Sequence, residues 1–213
     1  GTQLQQHGVE LAQRAVDSVQ ANAMIIHLNP LQELVQPNGD RDWRGVLDAI
    51  EECSASLSVP LIIKEVGAGL GPSTAQRLID IGIRWIDIAG RGGTSWASIE
   101  SARIEETREQ QIAAPFIDWG MDTAELIPIL RSQSKSVGLI ASGGLRNGLD
   151  IARSFRLGAN MTSIAQPFLQ PALHSSEAVI DRIEILREQL RMAMFLTGSS
   201  NLKKLQTAPL LPA

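Results

Sequence analysis

Polar residues able to do chemistry recur just after short apolar runs of this 213-residue sequence. The first run, residues 23–29, contains His27 and Asn29 and is followed by Gln32 and Glu33. His27 and Asn29 are two residues apart, so on a strand both side chains leave from the same face. Together these groups could bind a polar substrate, and Glu33 could hold Mg²⁺ through a carboxylate oxygen. A single histidine in a strand also packs commonly in a core, so both interpretations stay open.

Lys64 lies in the second apolar run, residues 59–66, on the same predicted face as Ile62. A buried ammonium group without a partner is very costly, so Lys64 needs an anion or a polar ligand nearby. One interpretation is a pair with a carboxylate such as Glu65 or Asp87. The interpretation we favour is a cation that faces the negative charge of a ligand.

Glycine-rich loops follow the later apolar runs. The segment 90–94 (GRGGT) could bring the backbone close to a flat ring, although it could equally be an ordinary strand-exit loop. The segments 142–146 (SGGLR) and 165–167 (AQP) each follow an apolar run. Backbone N–H groups of such loops and of helix N-termini bind phosphate, so this pair of loops predicts a phosphate-bearing ligand. Trp96, beside the first glycine loop, is a further candidate site residue.

Composition excludes several classes of function. The chain carries 19 Lys and Arg against 23 Asp and Glu, a net charge of −4, and no cluster of basic residues, which argues against nucleic-acid partners. No apolar run approaches the roughly 20 residues of a membrane span, so we expect no membrane partner. The first twenty residues resemble a polar helix rather than a signal peptide. The single cysteine, Cys53, fits a reducing compartment, and we expect a cytoplasmic protein.

Alternating strands and helices must position these groups. Strands are predicted near 23–29, 59–66, 85–89, 137–142 and 161–165, and helices near 8–20, 43–57, 74–81, 96–112, 122–132, 149–157 and 176–197. Ser73 is predicted to cap the helix near 74–81 and Gly82 to end it, and Gly158 is predicted to end the helix near 149–157. Ile183 and Leu186 are predicted to face the core from the last helix. The pattern indicates an α/β fold with a parallel sheet. Periodicity fits both an open doubly wound sheet and part of an eight-stranded barrel.

Strings of residues in order along the whole chain resemble one known family. They are HLNPLQE (27–33), QPNGD (36–40), KEVG (64–67), GGTSW (92–96), DWG (118–120), ASGGLR (141–146) and APL (208–210). They resemble the type 2 isopentenyl-diphosphate isomerases, although Asn38 stands where that family usually has an acidic residue. The resemblance implies a parallel (β/α)8 TIM-type barrel, here lacking its first three strands. Residues 1–213 would then form a single domain that corresponds to strands 4–8, the C-terminal portion of the barrel.

The resemblance also implies an activity and its cofactors. The family interconverts isopentenyl diphosphate and dimethylallyl diphosphate with FMN, Mg²⁺ and NADPH as flavin reductant. By matching position, Gln32, His27 and Asn29 would contact the substrate, Glu33 would hold Mg²⁺, and we group Trp96 with them as catalytic candidates. The expected FMN contacts are Lys64, Ala89, Thr94, Gly143, Gly144, Leu145, Arg146, Ala165 and Gln166. We expect a homo-oligomer that acts on a small diphosphate.

Two alternatives remain open from the sequence. One is another FMN-dependent TIM-barrel oxidoreductase acting on a small hydroxy acid or nucleotide, which would need a base such as a histidine near the flavin. The other is a non-catalytic remnant of the isomerase. Because three strands of the barrel would be absent, we also expect the 213-residue chain to be inactive alone.

Overall fold

The structure, a computed structural model, describes residues 1–105 and 107–210. Its single sheet has five strands: β1 (Met24–His27), β2 (Leu61–Lys64), β3 (Trp85–Asp87), β4 (Gly138–Ala141) and β5 (Met161–Thr162). All neighbouring strands are parallel, and they lie in the order β1-β2-β3-β4-β5. A doubly wound sheet reverses its order at a switch point, whereas a barrel adds every strand on the same side. The strand order therefore confirms the barrel interpretation over the open doubly wound sheet.

Helices connect all successive strands. They are α1 (Thr2–Val19), α2 (Pro30–Val35), α3 (Val46–Ser56), α4 (Pro72–Asp80), α5 (Trp96–Arg103), α6 (Thr107–Ala113), α7 (Thr123–Gln133), α8 (Gly148–Leu157), α9 (Gln166–His174), α10 (Ser176–Leu196) and α11 (Leu202–Leu205). None of the described helices combines the length and the apolar character that crossing a membrane requires.

Several predicted helix boundaries were wrong for local reasons. The predicted helix over 96–112 is two helices, α5 and α6, because the backbone is extended at Ile104 (φ −75°, ψ 125°). Ser73 does not cap α4, since Pro72 occupies the first turn and Gly71 is the N-cap residue. Proline suits that position because its fixed φ matches the helix and its missing N–H would be unpaired there. Gly82 and Gly158, with φ of 91° and 121°, follow the ends of α4 and α8 as predicted.

Ile183 is a further correction, because 49% of its surface is exposed while Leu186 is buried. Helix α10 packs on α8, and a Cβ at Gly148, the first residue of α8, would lie 2.5 Å from the carbonyl oxygen of Leu186. Ile183 lies about one turn before this contact, beyond the start of α8. The row of apolar side chains that was predicted to face the core from α10 is thus longer than the surface of α8 on which this helix packs.

The two faces of the sheet differ in character. On the outer face Ile63, Ile86 and Leu139 are fully buried beneath the helices. On the inner face the edge-strand residues Ile25 and Met161 are about half exposed. The register His27–Lys64–Asp87 sets these three polar residues in one row across β1, β2 and β3. Since side chains alternate along strands, this row belongs to the inner face with Ile25.

Candidate active site

A cavity of about 430 Å³ lies at the carboxyl ends of β2 to β5, the edge where barrel enzymes place their sites. Its volume lies within the range of about 300–1,000 Å³ that is usual for ligand pockets. All nine residues predicted from the sequence to contact FMN line this cavity: Lys64, Ala89, Thr94, Gly143, Gly144, Leu145, Arg146, Ala165 and Gln166. Trp96 lines it as well. The structure thus brings together residues that are up to 102 positions apart in the chain.

The loops after β3 and β4 meet backbone to backbone at the cavity wall. A Cβ at Gly143 would lie 2.0 Å from the carbonyl oxygen of Gly90, and one at Gly144 would lie 2.7 Å from that of Gly92. Gly143 and Gly144 both have positive φ, 93° and 82°. Only glycine satisfies both conditions. The close approach in the fold is between the two loops, whereas the approach of these glycines to a phosphate stays a prediction.

Arg146 joins the same two loops through its guanidinium group. One terminal nitrogen donates to the carbonyl oxygen of Gly144 and the other to that of Gly92, both at 3.1 Å. The carbonyl oxygen of Arg146 itself accepts from Arg182 at 2.8 Å. Arg146 therefore lines the cavity while its guanidinium group holds the loops after β3 and β4 together.

Ala89, at the end of β3, adopts the left-handed conformation with φ of 41°. This conformation costs a residue with a side chain about 1–2 kcal/mol, because Cβ crowds the following carbonyl. Ala89 is buried and lines the cavity. Backbone strain of this kind clusters at functional sites, where the surrounding structure enforces it.

Lys64 reaches the cavity from the inner face of β2. Its Nζ donates to the carbonyl oxygen of Glu65 at 2.6 Å, and within the described part of the chain it forms no ion pair closer than 4.0 Å. The Glu65 carboxylate is instead bound to backbone N–H groups of residues 66–69. The carboxylate pairing considered from the sequence is therefore absent among these contacts, and the ammonium group faces the cavity.

Asp87 lies beside Lys64 in the row across the sheet and is only 3% exposed. Its Oδ1 accepts a short hydrogen bond from the Ser142 hydroxyl at the end of β4. Burial raises the pKa of the Asp87 carboxyl, while the Ser142 hydrogen bond, the Lys64 charge and the backbone N–H of Ala89 act to lower it. Asp87 thus links the ends of β3 and β4, next to Lys64 on β2.

A second polar group surrounds Gln32 at the start of α2. Asn29 Nδ2 donates to Glu33 Oε1 at 2.9 Å and to Gln32 Oε1 at 3.3 Å. Gln32 Nε2 donates to Oε1 of Glu100 at 3.0 Å, and the backbone N–H of Asp40 donates to Glu33 Oε2 at 2.8 Å. Three of the residues predicted from the sequence, Asn29, Gln32 and Glu33, are therefore one hydrogen-bonded network.

Glu100 is a member of this network that the sequence did not reveal. It is 7% exposed, on α5, four residues after Trp96. Hydrogen bonds from Gln32 and Gln36, together with Arg103, hold the pKa of the Glu100 carboxyl below its usual range. Gln32 and Trp96 also line a pocket of about 20 Å³ beside the main cavity, so the network and the cavity share the Trp96 ring.

The sequence profile of the FMN-dependent dehydrogenases matches residues 9–211, nearly the whole chain. The chain belongs to the FMN-dependent dehydrogenase family. It is 52% identical over 205 residues to an isopentenyl-diphosphate delta-isomerase of Stutzerimonas stutzeri (strain A1501), covering 96% of this chain and 59% of that protein. It is 49% identical to the protein of the same name from Pseudescherichia vulneris, covering 94% and 58%. These relatives confirm the resemblance found in the sequence motifs, and the chain spans less than two thirds of their length.

Solved structures of other proteins have the same fold. A lactate oxidase described as putative, from Pediococcus acidilactici, aligns with a TM-score of 0.71 at 16% identity, covering 95% of this chain and 56% of that one. A mandelate oxidase solved with benzoyl-formic acid aligns with a TM-score of 0.65 at 17% identity, covering 94% and 58%. At this identity the likeness establishes the fold alone, a barrel-type arrangement of parallel strands.

His27 is the one predicted site residue that belongs neither to the cavity nor to the hydrogen-bonded network around Gln32. It lines neither the main cavity nor the small pocket beside it. Although His27 is exposed at its edge strand, partial desolvation lowers the pKa of its side chain, and the positive charge of Lys64 adds to this effect. Both causes favour the neutral form of the imidazole. Its place in the row with Lys64 and Asp87 keeps it on the inner face of the sheet.

Proposed function

We propose that this chain forms the FMN-binding portion of an isopentenyl-diphosphate delta-isomerase, which interconverts isopentenyl diphosphate and dimethylallyl diphosphate in isoprenoid biosynthesis. The observation that carries the proposal is the identity of 44–52%, over 93–96% of the chain, to relatives of that name. The nine residues matched to FMN contacts all line one cavity, which supports the same conclusion.

The residues of the cavity fit FMN in three respects. The interlocked glycine loops leave a surface without side chains, which a flat ring system can approach. The N-terminus of α9 at Ala165 and Gln166 opens into the cavity, and unpaired N–H groups there favour a phosphate. The ammonium group of Lys64 would offset negative charge on the ring system. FMN, when bound in its reduced form, would supply the proton donor and acceptor that the double-bond shift requires.

The network around Gln32 would orient the reacting end of the substrate. Asn29 donates to Gln32 Oε1 and Glu100 accepts from Gln32 Nε2, so the orientation of the amide is fixed from both sides. A fixed amide beside the cavity can hold the alkenyl group in one position relative to the ring system. The Trp96 ring, which borders both pockets, would exclude water from that contact.

Glu33 would hold Mg²⁺ together with the diphosphate. Among the described residues no cluster of three His, Cys, Asp or Glu side chains could form a complete metal site. Magnesium is commonly bound by one or two carboxylates, water and substrate phosphates, so a single carboxylate suffices. Each oxygen of Glu33 accepts one hydrogen bond and keeps a free lone pair for the ion. The ion would neutralise a diphosphate that a chain of net charge −4 would otherwise repel.

Further parts of the proposal concern the complete protein. We propose that residues 1–213 are one domain, corresponding to strands 4–8 of an eight-stranded barrel, and that β1 and β5 pair with three further strands in the full-length protein. We propose NADPH as the flavin reductant, a homo-oligomeric state and a cytoplasmic location. The half-exposed Ile25 and Met161 on the two edge strands are surfaces that such pairing would bury.

An oxidoreductase acting on a hydroxy acid receives less support from the site. That chemistry needs a base such as histidine beside the flavin, and the described residues that line the cavity include no histidine. The half-buried Gln32 amide, bound to Glu100, is instead fixed in one orientation. The site therefore favours the isomerase.

A segment exchange tests the proposed function. In the Stutzerimonas stutzeri relative, the segment that matches this chain is replaced by residues 1–213, and the purified chimera is assayed for isomerisation with FMN, Mg²⁺ and NADPH without oxygen. We expect the chimera to convert isopentenyl diphosphate to dimethylallyl diphosphate, and the 213-residue chain alone to be inactive. A folded chimera that retains FMN but lacks isomerase activity would refute the proposal, and activity of the isolated chain would refute the need for three further strands.

A further inference from the structure

Thr123, the first residue of α7, holds the loop after β4 from the side away from the cavity. Its side chain is buried, with 5% of the residue exposed. Its Oγ1 lies 2.7 Å from the carbonyl oxygen of Ser142 and 2.9 Å from that of Gly143, and the hydroxyl donates to this pair. Ser142 and Gly143 line the cavity, whereas Thr123 does not.

The direction of two carbonyl groups fixes the direction of two N–H groups. In a trans peptide the C=O and N–H bonds point in opposite directions, and the described chain contains no cis peptide. With the carbonyls of Ser142 and Gly143 directed at Thr123, the N–H groups of Gly143 and Gly144 are directed away from it. Neither N–H donates to an atom of the described residues.

Glycines on the neighbouring loop keep this arrangement possible. A Cβ at Gly90 would lie 2.5 Å from Thr123 Oγ1, so any side chain there would displace the hydroxyl. A Cβ at Gly93 would lie 2.7 Å from the nitrogen of Gly144, so any side chain there would cover that N–H group. The structure thus leaves two adjacent N–H groups uncovered and oriented alike, which is the arrangement of an anion-binding backbone turn.

We propose that Thr123 is a positioning residue, whose hydroxyl fixes the Gly143 carbonyl and, together with the Gly90 N–H, the Ser142 carbonyl, and thereby directs the N–H groups of Gly143 and Gly144 at a phosphate monoester in the cavity. The inference rests on the proposed flavin site and extends it to a residue that touches no ligand. The Ser142 carbonyl oxygen also accepts from the backbone N–H of Gly90 at 3.1 Å. Loss of the hydroxyl therefore leaves the Gly143 carbonyl without its donor and the Ser142 carbonyl with one donor instead of two, and the peptide plane between Gly143 and Gly144 loses its preferred orientation.

The test uses inorganic phosphate as the probe and the 213-residue chain labelled with ¹⁵N-glycine. The amide signals of Gly143 and Gly144 are followed by NMR during titration with phosphate. We expect saturable shifts at these two signals and none at Gly158 or Gly198, which lie after the ends of α8 and α10. Absence of shifts at Gly143 and Gly144 in the unmodified chain overturns the inference without any variant.

Three variants isolate the hydroxyl group. Thr123→Val, which keeps the shape, should weaken phosphate binding at least about tenfold, the effect of about 1.4 kcal/mol. Thr123→Ser keeps the hydroxyl and should remain within about threefold of the unmodified chain. The matched control is Thr207→Val, which removes an exposed hydroxyl that donates to the Lys204 carbonyl oxygen at 3.0 Å and should change nothing.

The outcomes separate this inference from the proposed function. Equal phosphate affinity in Thr123→Val and the unmodified chain, or equal losses in the Val and Ser variants, overturns the role of the hydroxyl. If Thr123→Val does not fold, Thr123→Ala takes its place, and the unmodified chain still decides whether the two N–H groups bind phosphate. Phosphate binding that depends on Thr123 without FMN binding would support the inference and contradict the proposed flavin site.

Discussion

Glu65 organises the loop after β2 through one carboxylate oxygen. Its Oε2 accepts hydrogen bonds from the backbone N–H groups of four successive residues, 66–69, at 2.6, 2.7, 2.7 and 2.9 Å. The residue is 6% exposed, and its own carbonyl oxygen accepts from Lys64 Nζ. Val66 and Gly67, which Glu65 holds, form part of the cavity wall. Glu65→Ala should therefore destabilise the fold and loosen this wall.

The size of the effect follows from the number of N–H groups left without an acceptor. A hydrogen bond to a charged group contributes about 1.5–3 kcal/mol. Residues 66–69 are half-buried, so water replaces part of the loss. If two of the four bonds count in full, Glu65→Ala lowers the free energy of unfolding by about 3–6 kcal/mol. Glu65→Gln keeps an acceptor but loses the charge and adds an N–H donor facing other donors, so we expect about half that loss.

Urea unfolding followed by circular dichroism measures these losses, with the slope m checked for each variant. The control is Glu51→Ala, an exposed glutamate on α3, which we expect to stay within about 0.5 kcal/mol of the unmodified chain. Hydrogen exchange of the amides of residues 66–69 should accelerate in Glu65→Ala beyond the change in global stability. A loss below about 1 kcal/mol, or unchanged exchange in this segment, would refute the reasoning.

Three further predictions concern charge at the site. In the chimera, Lys64→Ala should weaken FMN binding about tenfold or more, measured by flavin fluorescence, because a charge-assisted contact contributes about 1.5–3 kcal/mol. The control is Lys135→Ala at an exposed lysine, and equal FMN affinities of Lys64→Ala and the unmodified chimera would make Lys64 purely structural. Also in the chimera, Glu33→Gln should raise the Mg²⁺ requirement and the apparent KM for the diphosphate, whereas Gln32→Ala should lower kcat more than it weakens substrate binding. Identical behaviour of the two variants in steady-state kinetics would contradict this division of roles. Burial raises the pKa of Asp87, so the folded state binds this proton more readily than the unfolded state, and stability from this group is lost as pH rises above its ordinary 3.8. Asp87→Asn should therefore gain stability relative to the unmodified chain between acid and neutral pH in urea unfolding, and a pH-independent difference would exclude this cause.

Short helices beginning with proline mark one limit of the sequence interpretation. Helices α2 and α9 were not predicted: α2 follows Asn29 and has Pro30 in its first turn, and α9 has Pro167 there. Both segments look like strand-exit loops because proline usually interrupts regular structure. At the first helical turn, however, its missing N–H costs nothing. Their N-termini matter to the site, since α2 carries Gln32 and α9 carries Gln166.

The amino-acid sequence by itself determined the five strands and most of the helices. Apolar runs separated by helical patterns predicted five parallel strands, because these patterns are properties of short segments. The nine residues that the family resemblance assigned to FMN all line one cavity. The motif strings, which extend along the chain, indicated the family to which the chain belongs.

Only the tertiary structure decided the strand order and the partners of the buried polar groups. A doubly wound sheet and a barrel contain the same local patterns, so the order β1-β2-β3-β4-β5 had to come from pairing between distant segments. Glu100 meets Gln32 across 68 positions and Asp87 meets Ser142 across 55. The hydrogen-bond donors of a buried carboxylate come from whichever segments the fold brings beside it, and the periodicity of a short segment does not predict which segments these are.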